Sequence, residues 1–359
     1  MKLVFDCRYI RTDHHDGISR FSSELFAALS KRIEVTALIS TPDQLRWLPQ
    51  GTSYLLGSDP TNGFTELFVA NQLNRFGATH VFSPMQTMGA FGRKYKLILT
   101  LHDLIYYKHP KPPSNLPLPV RIAWRIYHMN FWAARLLLNR ADAVVTVSET
   151  SKQLILQNRL TKRPVTVVYN SSSSDSDIHS GDSRLSESGR KTLVYMGSFM
   201  GYKNVECLVK GMKELPGFEL LLLSKISNKR KGQLLQKAGE AAARIEFLNG
   251  VSDHRYLEIL SSAFALVSAS RDEGFGIPLV EAMKRSIPLV VSDIPIFREV
   301  AKDAAFYFDP SSGKSFANAV KLLEFGDNWL KQSHEAQNRS RTFDWEASAT
   351  ALLAAINQS

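Results

Sequence analysis

A chain of 359 residues is too long for one ordinary hydrophobic core and suits about two domains, while 44% hydrophobic and 22% charged residues describe a globular protein. The 44 basic against 34 acidic side chains give a formal charge of +10, which favours phosphates or anionic headgroups as partners; with no helix-turn-helix, zinc-finger or aromatic RNA-binding pattern, nucleic acid is set aside. Cys7 and Cys207 fall in different halves and build neither a disulfide framework nor a cysteine metal site, and no apolar run approaches about 18 residues, so a cytoplasmic chain without a membrane span is expected.

From the N-terminus, short apolar runs alternate with helical patterns: residues 2–5, 34–39, 80–83, 96–101, 142–147 and 164–169 read as strands buried on both faces, the mark of parallel α/β sheets. Within this half, "PVRIAWRIYHMNFWAARLLLNR" (119–140) places Val120, Trp124, Tyr127, Phe131, Ala134 and Leu138 on one helical face and Arg121, Arg125, His128 and Arg135 on another. Such a helix either packs on the first sheet or, with "GRKYK" (92–96), touches an anionic membrane. The first domain is expected over 1–170, followed by a Ser-rich linker over 171–190. Strand-like runs then resume at 192–197, 219–224, 245–248, 263–268 and 288–292, giving a second α/β domain over 191–342. A terminal Ala/Leu-rich helix over 343–359, with Asp344 as N-cap, is expected to pack back on the first domain.

The stretch "SRDEGFGIPLVEAM" (270–283) joins one buried strand to a helix that starts near Pro278, so it lies at the carboxyl end of a parallel strand, where open α/β sheets bind ligands. Gly274 and Gly276 let the backbone approach a ligand, and the helix start offers amide donors and partial positive charge to a phosphate. Glu273 projects from the loop, and Glu281, about one turn into the helix, can accept hydrogen bonds from sugar hydroxyls. These features suit a phosphorylated sugar. The alternative for Glu281 is simple compensation of the helix dipole.

Two glutamates separated by seven residues around "GFGIP" resemble the signature of glycosyltransferase family 4, retaining enzymes of the two-domain GT-B fold. "DGISRFSSEL" (16–25), "LHDLIYYKHP" (101–110), "ADAVVTVSETSKQLI" (141–155), "VYMGSFMGYKNVECLV" (194–209), "FLNGVSDHRYLEIL" (247–260) and "VVSDIPIFREVAKDAAFYFDP" (290–310) match in the family's order. The resemblance implies an α/β fold of two Rossmann-like parallel-sheet domains facing each other across a cleft, the donor held mainly by the second and the acceptor by the first. It assigns catalytic roles to Glu273, His102 and Lys203. Glu273 would hold the donor sugar with Gly274, Phe275, Gly276 and Leu279 around it. Glu281 would bind ribose, Lys203 the diphosphate, and Val251 would lie by the nucleobase.

By the same resemblance His102, with Asp103 beside it, lies near the transferred sugar. Gly17 lets the backbone near the donor phosphate, and Arg20 adds a cation. Ser148 lies in a loop near the cleft, although N-capping is its simplest role. Ser198 departs from the family, which often carries Arg there, so a bidentate phosphate contact is missing. The expected reaction moves a sugar, first of all mannose, with retention from a nucleotide-diphosphate sugar to a glycan or lipid-linked acceptor. No metal or other cofactor is expected. Localisation would be cytoplasmic with a peripheral contact to the inner face of the membrane. The rival readings are a non-catalytic sugar-nucleotide-binding partner subunit and a GT-B epimerase; the shared fold does not separate them.

Overall fold

The computed structural model describes residues 1–13, 16–61, 63–110, 112, 117–172 and 191–359. They form two compact units, Met1–Ser173 with Asp344–Ser359, and Ser174–Phe343. Apart from residues 171 and 172, the expected Ser-rich linker lies outside the described residues.

The first unit holds seven parallel strands, β1 (Leu3–Asp6), β2 (Val35–Ile39), β3 (Tyr54–Leu56), β4 (His80–Ser83), β5 (Lys96–Thr100), β6 (Ala143–Thr146) and β7 (Val165–Val167), in the order β3-β2-β1-β4-β5-β6-β7. β1 and β6 are buried along their whole length, which their unbroken apolar runs require of strands covered on both faces. β3 was not foreseen: it is an edge strand of three residues, two of them exposed, and so short an apolar run does not announce a strand.

The helix Gly17–Ser30 follows β1, with Asp16 accepting the Ser19 N–H at 2.9 Å as its N-cap. Its buried Phe21 meets Trp345 edge-on at 6.2 Å, at the start of the terminal helix Trp345–Asn357. Asp344 caps that helix, Trp345 Nε1 donates to the Ser172 carbonyl at 3.0 Å and Ser348 Oγ to Tyr169 at 2.7 Å. The end of the chain thus fastens the segment that leaves β7.

The amphipathic stretch becomes two helices, Leu118–His128 and Trp132–Asn139. Ala134 and Leu138 are buried, and Phe131 packs on the cluster of Leu101, Leu104, Val144 and Ile155. Two expectations are corrected. Val120 is 47% exposed, while His128, read as part of the charged face, packs among Tyr107, Trp124 and Tyr127 with ring centroids 4.0–5.0 Å away.

The second unit is a six-stranded parallel sheet of β8 (Lys191–Tyr195), β9 (Phe218–Leu222), β10 (Ile245–Phe247), β11 (Ala265–Ser268), β12 (Leu289–Ser292) and β13 (Ala305–Phe308), ordered β10-β9-β8-β11-β12-β13. The edge strand β13 was missed because the turn before it is made by Lys302 at φ +47°, a residue type that gives no turn signal. Strand order reverses at β1/β4 in one sheet and at β8/β11 in the other, and the crevice beyond the carboxyl ends of such strands is where ligands bind. Among the described residues no helix is long and apolar enough to cross a membrane.

Candidate functional site

In the second unit, the loops after β8 and β11 are stitched together at the switch point. Asn204, at φ +53°, donates through Nδ2 to the carbonyls of Ala269 at 3.1 Å and Pro310 at 2.7 Å, and the Arg271 N–H donates to the Tyr202 carbonyl at 2.8 Å. Between these ties Lys203 Nζ lies 2.6 Å from Glu273 Oε1, which also accepts the Ser270 hydroxyl at 2.7 Å. The two charged side chains are only 17% and 12% exposed, so their attraction is screened less than that of a surface pair. A cation whose present partner is a single carboxylate can pass to a diphosphate. The freed carboxylate can then accept hydrogen bonds from sugar hydroxyls.

The turn into the helix Ile277–Lys284 runs through Gly276 at φ +99°, a backbone that favours glycine, and a Cβ there would also crowd the Phe297 ring at 3.2 Å. Gly274 is buried, and Phe275, 4% exposed, packs edge-on against Phe343 at 5.5 Å. Leu279 is a core residue, and its N–H already donates to the Gly276 carbonyl at 2.9 Å; it shapes the helix start and does not present a group to a ligand. Glu281 is more buried than its position one turn into the helix suggested, 3% exposed, with Tyr256 OH donating to Oε2 at 2.7 Å. Val251 lies beside Gly250, whose N–H bonds the Leu223 carbonyl at 2.8 Å, in the loop after β10. Ser198 is exposed, and its carbonyl takes the Tyr195 hydroxyl at 2.7 Å, so this loop is held from the core.

The first unit gathers a separate set. His102, just past β5, donates from Nε2 to the Pro84 carbonyl at 2.8 Å, and its own carbonyl accepts the Ser151 hydroxyl at 3.0 Å. Its ring stands edge-on to Phe21 at 5.1 Å. Burial outweighs the Pro84 hydrogen bond and holds the imidazole below the ordinary 6.5, so the ring is neutral at pH 7 with its proton on Nε2. Asp103 accepts the Ile105 N–H at 2.9 Å just ahead of the next short helix, and Ser148 caps Glu149–Gln157 through Ser151 N–H at 3.0 Å. Gly17 is the first residue of the helix Gly17–Ser30, with Arg20 in its first turn.

A pH prediction follows. His80 and His128, like His102, are held below the ordinary 6.5, each first of all by burial. A depressed folded-state value means that stability is complete above the unfolded value and declines as pH falls through the folded one, because the unfolded chain binds the proton first. Melting temperature should be flat above about pH 6.5 from this source and decline below it, with a shallower decline in His102→Asn. Equal slopes in the two proteins would remove His102 from the account.

Several residues of the two clusters were not found by sequence reasoning. Ser270 and Asn204 give no signal beyond adjacency to Glu273 and Lys203, and Tyr256 sits in an ordinary helical pattern. Deepest is Arg8, just past β1. Its guanidinium pairs with Asp6 at 2.8 and 3.0 Å and with Glu66 at 2.7 and 3.1 Å, and the Arg8 and Asp6 side chains are fully buried. Glu66 also accepts the Gly89 N–H at 2.9 Å, and Gln44 Nε2 bonds the Arg8 and Ile10 carbonyls at 3.0 and 2.7 Å. This network fixes the loop that leaves β1 at the first sheet's switch point.

The chain is similar to proteins of known kind. A family model described as Glycosyl transferases group 1 matches residues 180–342, and one described as Glycosyltransferase Family 4 matches 15–172. The O-antigen chain mannosyltransferase RfbU of Salmonella typhimurium is 30% identical over 53% of this chain and 53% of its own length, so the chain matches about half of that relative. The O-antigen chain mannosyltransferase B of Escherichia coli is 23% identical over 98% of both. The fold is shared with Anabaena HepE, solved in complex with UDP and glucose, at a TM-score of 0.74 and 17% identity over 100% of both chains. With both units matched in order, the chain belongs to the glycosyl transferases group 1, glycosyltransferase family 4.

Proposed function

We propose that the chain is a retaining glycosyltransferase that moves a sugar, mannose first among the candidates, from a nucleotide-diphosphate sugar to a glycan or lipid-linked acceptor on the cytoplasmic side of a membrane. One observation carries the reading: the Lys203–Glu273 ion pair, largely shielded from water, beyond the carboxyl ends of β8 and β11. Lys203 takes the diphosphate and offsets the charge that grows on it as the glycosidic bond breaks, a task that needs no metal. Glu273, held by Ser270, receives sugar hydroxyls, and Glu281, held by Tyr256, receives the ribose. The named mannosyltransferase relatives support the choice of sugar, and the HepE complex supports a nucleoside diphosphate as the carried group.

Retention is assigned to a same-face exchange. The bond between anomeric carbon and phosphate oxygen breaks, the bond to the acceptor oxygen forms on that face, and the acceptor proton passes to the leaving phosphate. Neither glutamate then serves as nucleophile or general acid.

The test is a thermal-shift screen with GDP, UDP and ADP and their hexose conjugates. One nucleotide series should stabilise the chain by about 2.7 kcal/mol at a hundredfold excess over Kd, and Lys203→Ala should abolish the effect. Stabilisation by none of them, or equal stabilisation of Lys203→Ala, would overturn the reading. Binding without turnover on any acceptor would point to the partner-subunit alternative.

A further inference from the structure

Beside the ion pair of the second unit, the loops after β9 and β10 form another tied group on the same sheet edge. The Gly197 N–H, in the loop after β8, donates to Ser224 Oγ at 3.2 Å. From there the Ile226 N–H donates to Asn249 Oδ1 at 3.0 Å and the Gly250 N–H to the Leu223 carbonyl at 2.8 Å. Lys225 lies inside this frame. A Cβ on Gly250, whose φ is +100°, would stand 2.9 Å from Lys225 Cγ and 3.2 Å from its Cε. Glycine leaves the room in which the lysine stem lies across the loop after β10, and the ammonium ends beside Gly250, which precedes Val251 in the chain. Neighbouring cations are committed: Arg230 Nη2 pairs with Glu206 at 2.7 Å, and Lys231 Nζ stands 5.4 Å from the centre of the Phe247 ring. Among the described residues the Lys225 ammonium makes no hydrogen bond or ion pair.

Position along the edge says what reaches it. β10 is two strand spacings from β8, roughly 10 Å. Glu281, taken as the ribose acceptor, is held by Tyr256 of the helix Asp253–Ser261, which is entered from the loop of Gly250 and Val251. A nucleotide with its diphosphate on Lys203 and its ribose on Glu281 therefore turns its base toward that loop, away from β12 and β13. An ammonium has three donors and no acceptor. It can bond the oxo oxygen and adjacent ring nitrogen of guanine, or the oxo oxygen of uracil. At the amino group of adenine or cytosine it sets donor against donor.

We propose that Lys225 reads the nucleobase and selects an oxo base, guanine or uracil, over the amino bases adenine and cytosine. The assignment rests on the nucleotide-binding roles of Lys203 and Glu281 and narrows the class of donor that they leave open.

The experiment is titration calorimetry of the full chain with GDP, UDP, ADP and CDP, repeated on Lys225→Met and Lys203→Ala. Methionine keeps most of the stem over Gly250 and removes the charge; the position is exposed, so the variant should keep the wild-type melting temperature. In wild type, GDP is expected to bind roughly tenfold tighter than ADP, or UDP roughly tenfold tighter than CDP, and these two arms name the base. In Lys225→Met the preference should shrink to about twofold, because the oxo base weakens while the amino bases hold their affinity. Lys203→Ala should weaken all four and keep their order. A wild-type preference for ADP or CDP, or an unchanged preference in Lys225→Met, would overturn the proposal. So would an equal loss of all four in Lys225→Met, which would make Lys225 a further phosphate cation. Those results leave the nucleotide site standing, whereas a wild type that binds none of the four removes the site and the proposal together.

Discussion

Arg8→Met should destabilise the chain by about 3–5 kcal/mol, the largest stability effect expected of any single substitution outside the apolar core. Methionine roughly keeps the length of the arginine stem, so the loss comes from charge and not from a cavity. With the guanidinium gone, Asp6 and Glu66 face each other across a space that excludes water, having lost two bidentate pairs at 2.7–3.1 Å. An unpaired buried charge costs more than the pair contributed, because the desolvation of the remaining partner is no longer offset. For that reason the triple variant Arg8→Met/Asp6→Asn/Glu66→Gln should recover most of the loss: its amide oxygens can still accept from Ser83 Oγ, 3.2 Å from Asp6, and from the Gly89 N–H. Urea unfolding of the full chain, read as a shift in midpoint, decides the matter. A shift in Arg8→Met worth under about 1 kcal/mol would mean that water reaches the network and that it does not rigidify the loop leaving β1.

That network also shows where the sequence stops speaking. The strands with unbroken apolar runs were readable because two-sided burial dictates composition, and the loop of Glu273 was readable because glycines and a proline mark a backbone constraint locally. Arg8 and Glu66 lie 58 residues apart, and only the fold brings them into contact. Tyr256 and Glu281 meet across 25 residues in the same way. His128 was misplaced for a related reason. Helical phase gave its direction correctly, but Tyr107 of a neighbouring short helix and Trp124 and Tyr127 of its own pack around the ring and leave it half-buried. The edge strand β3 has only three residues, two of them exposed, too few for a periodic signal.

Glu273→Gln should separate two affinities that ordinarily move together, tightening a bare nucleoside diphosphate while weakening the corresponding sugar nucleotide. In the free protein the Lys203 ammonium is held 2.6 Å from the Glu273 carboxylate, and an incoming diphosphate must take it away. Glutamine keeps the shape but gives up the charge, so the competitor is weakened and the nucleoside diphosphate should bind up to roughly tenfold tighter, equal to about 1.4 kcal/mol. The sugar nucleotide meets the same freed lysine but loses a charged acceptor for its hydroxyls, worth about 1.5–3 kcal/mol, and the second term wins. Turnover should fall by about 10²–10³, since the carboxylate acts most strongly as positive charge gathers on the sugar. Lys203→Ala, by contrast, should weaken both ligands. Titration calorimetry of wild type and the two variants with nucleoside diphosphate and sugar nucleotide reads all of these values. If Glu273→Gln weakens both ligands in parallel, the ion pair does not compete with the donor, and Glu273 acts as a support for the loop. If it tightens both, Glu273 makes no contact with the sugar, and the carboxylate that receives the donor must be sought elsewhere on the edge of β8 and β11.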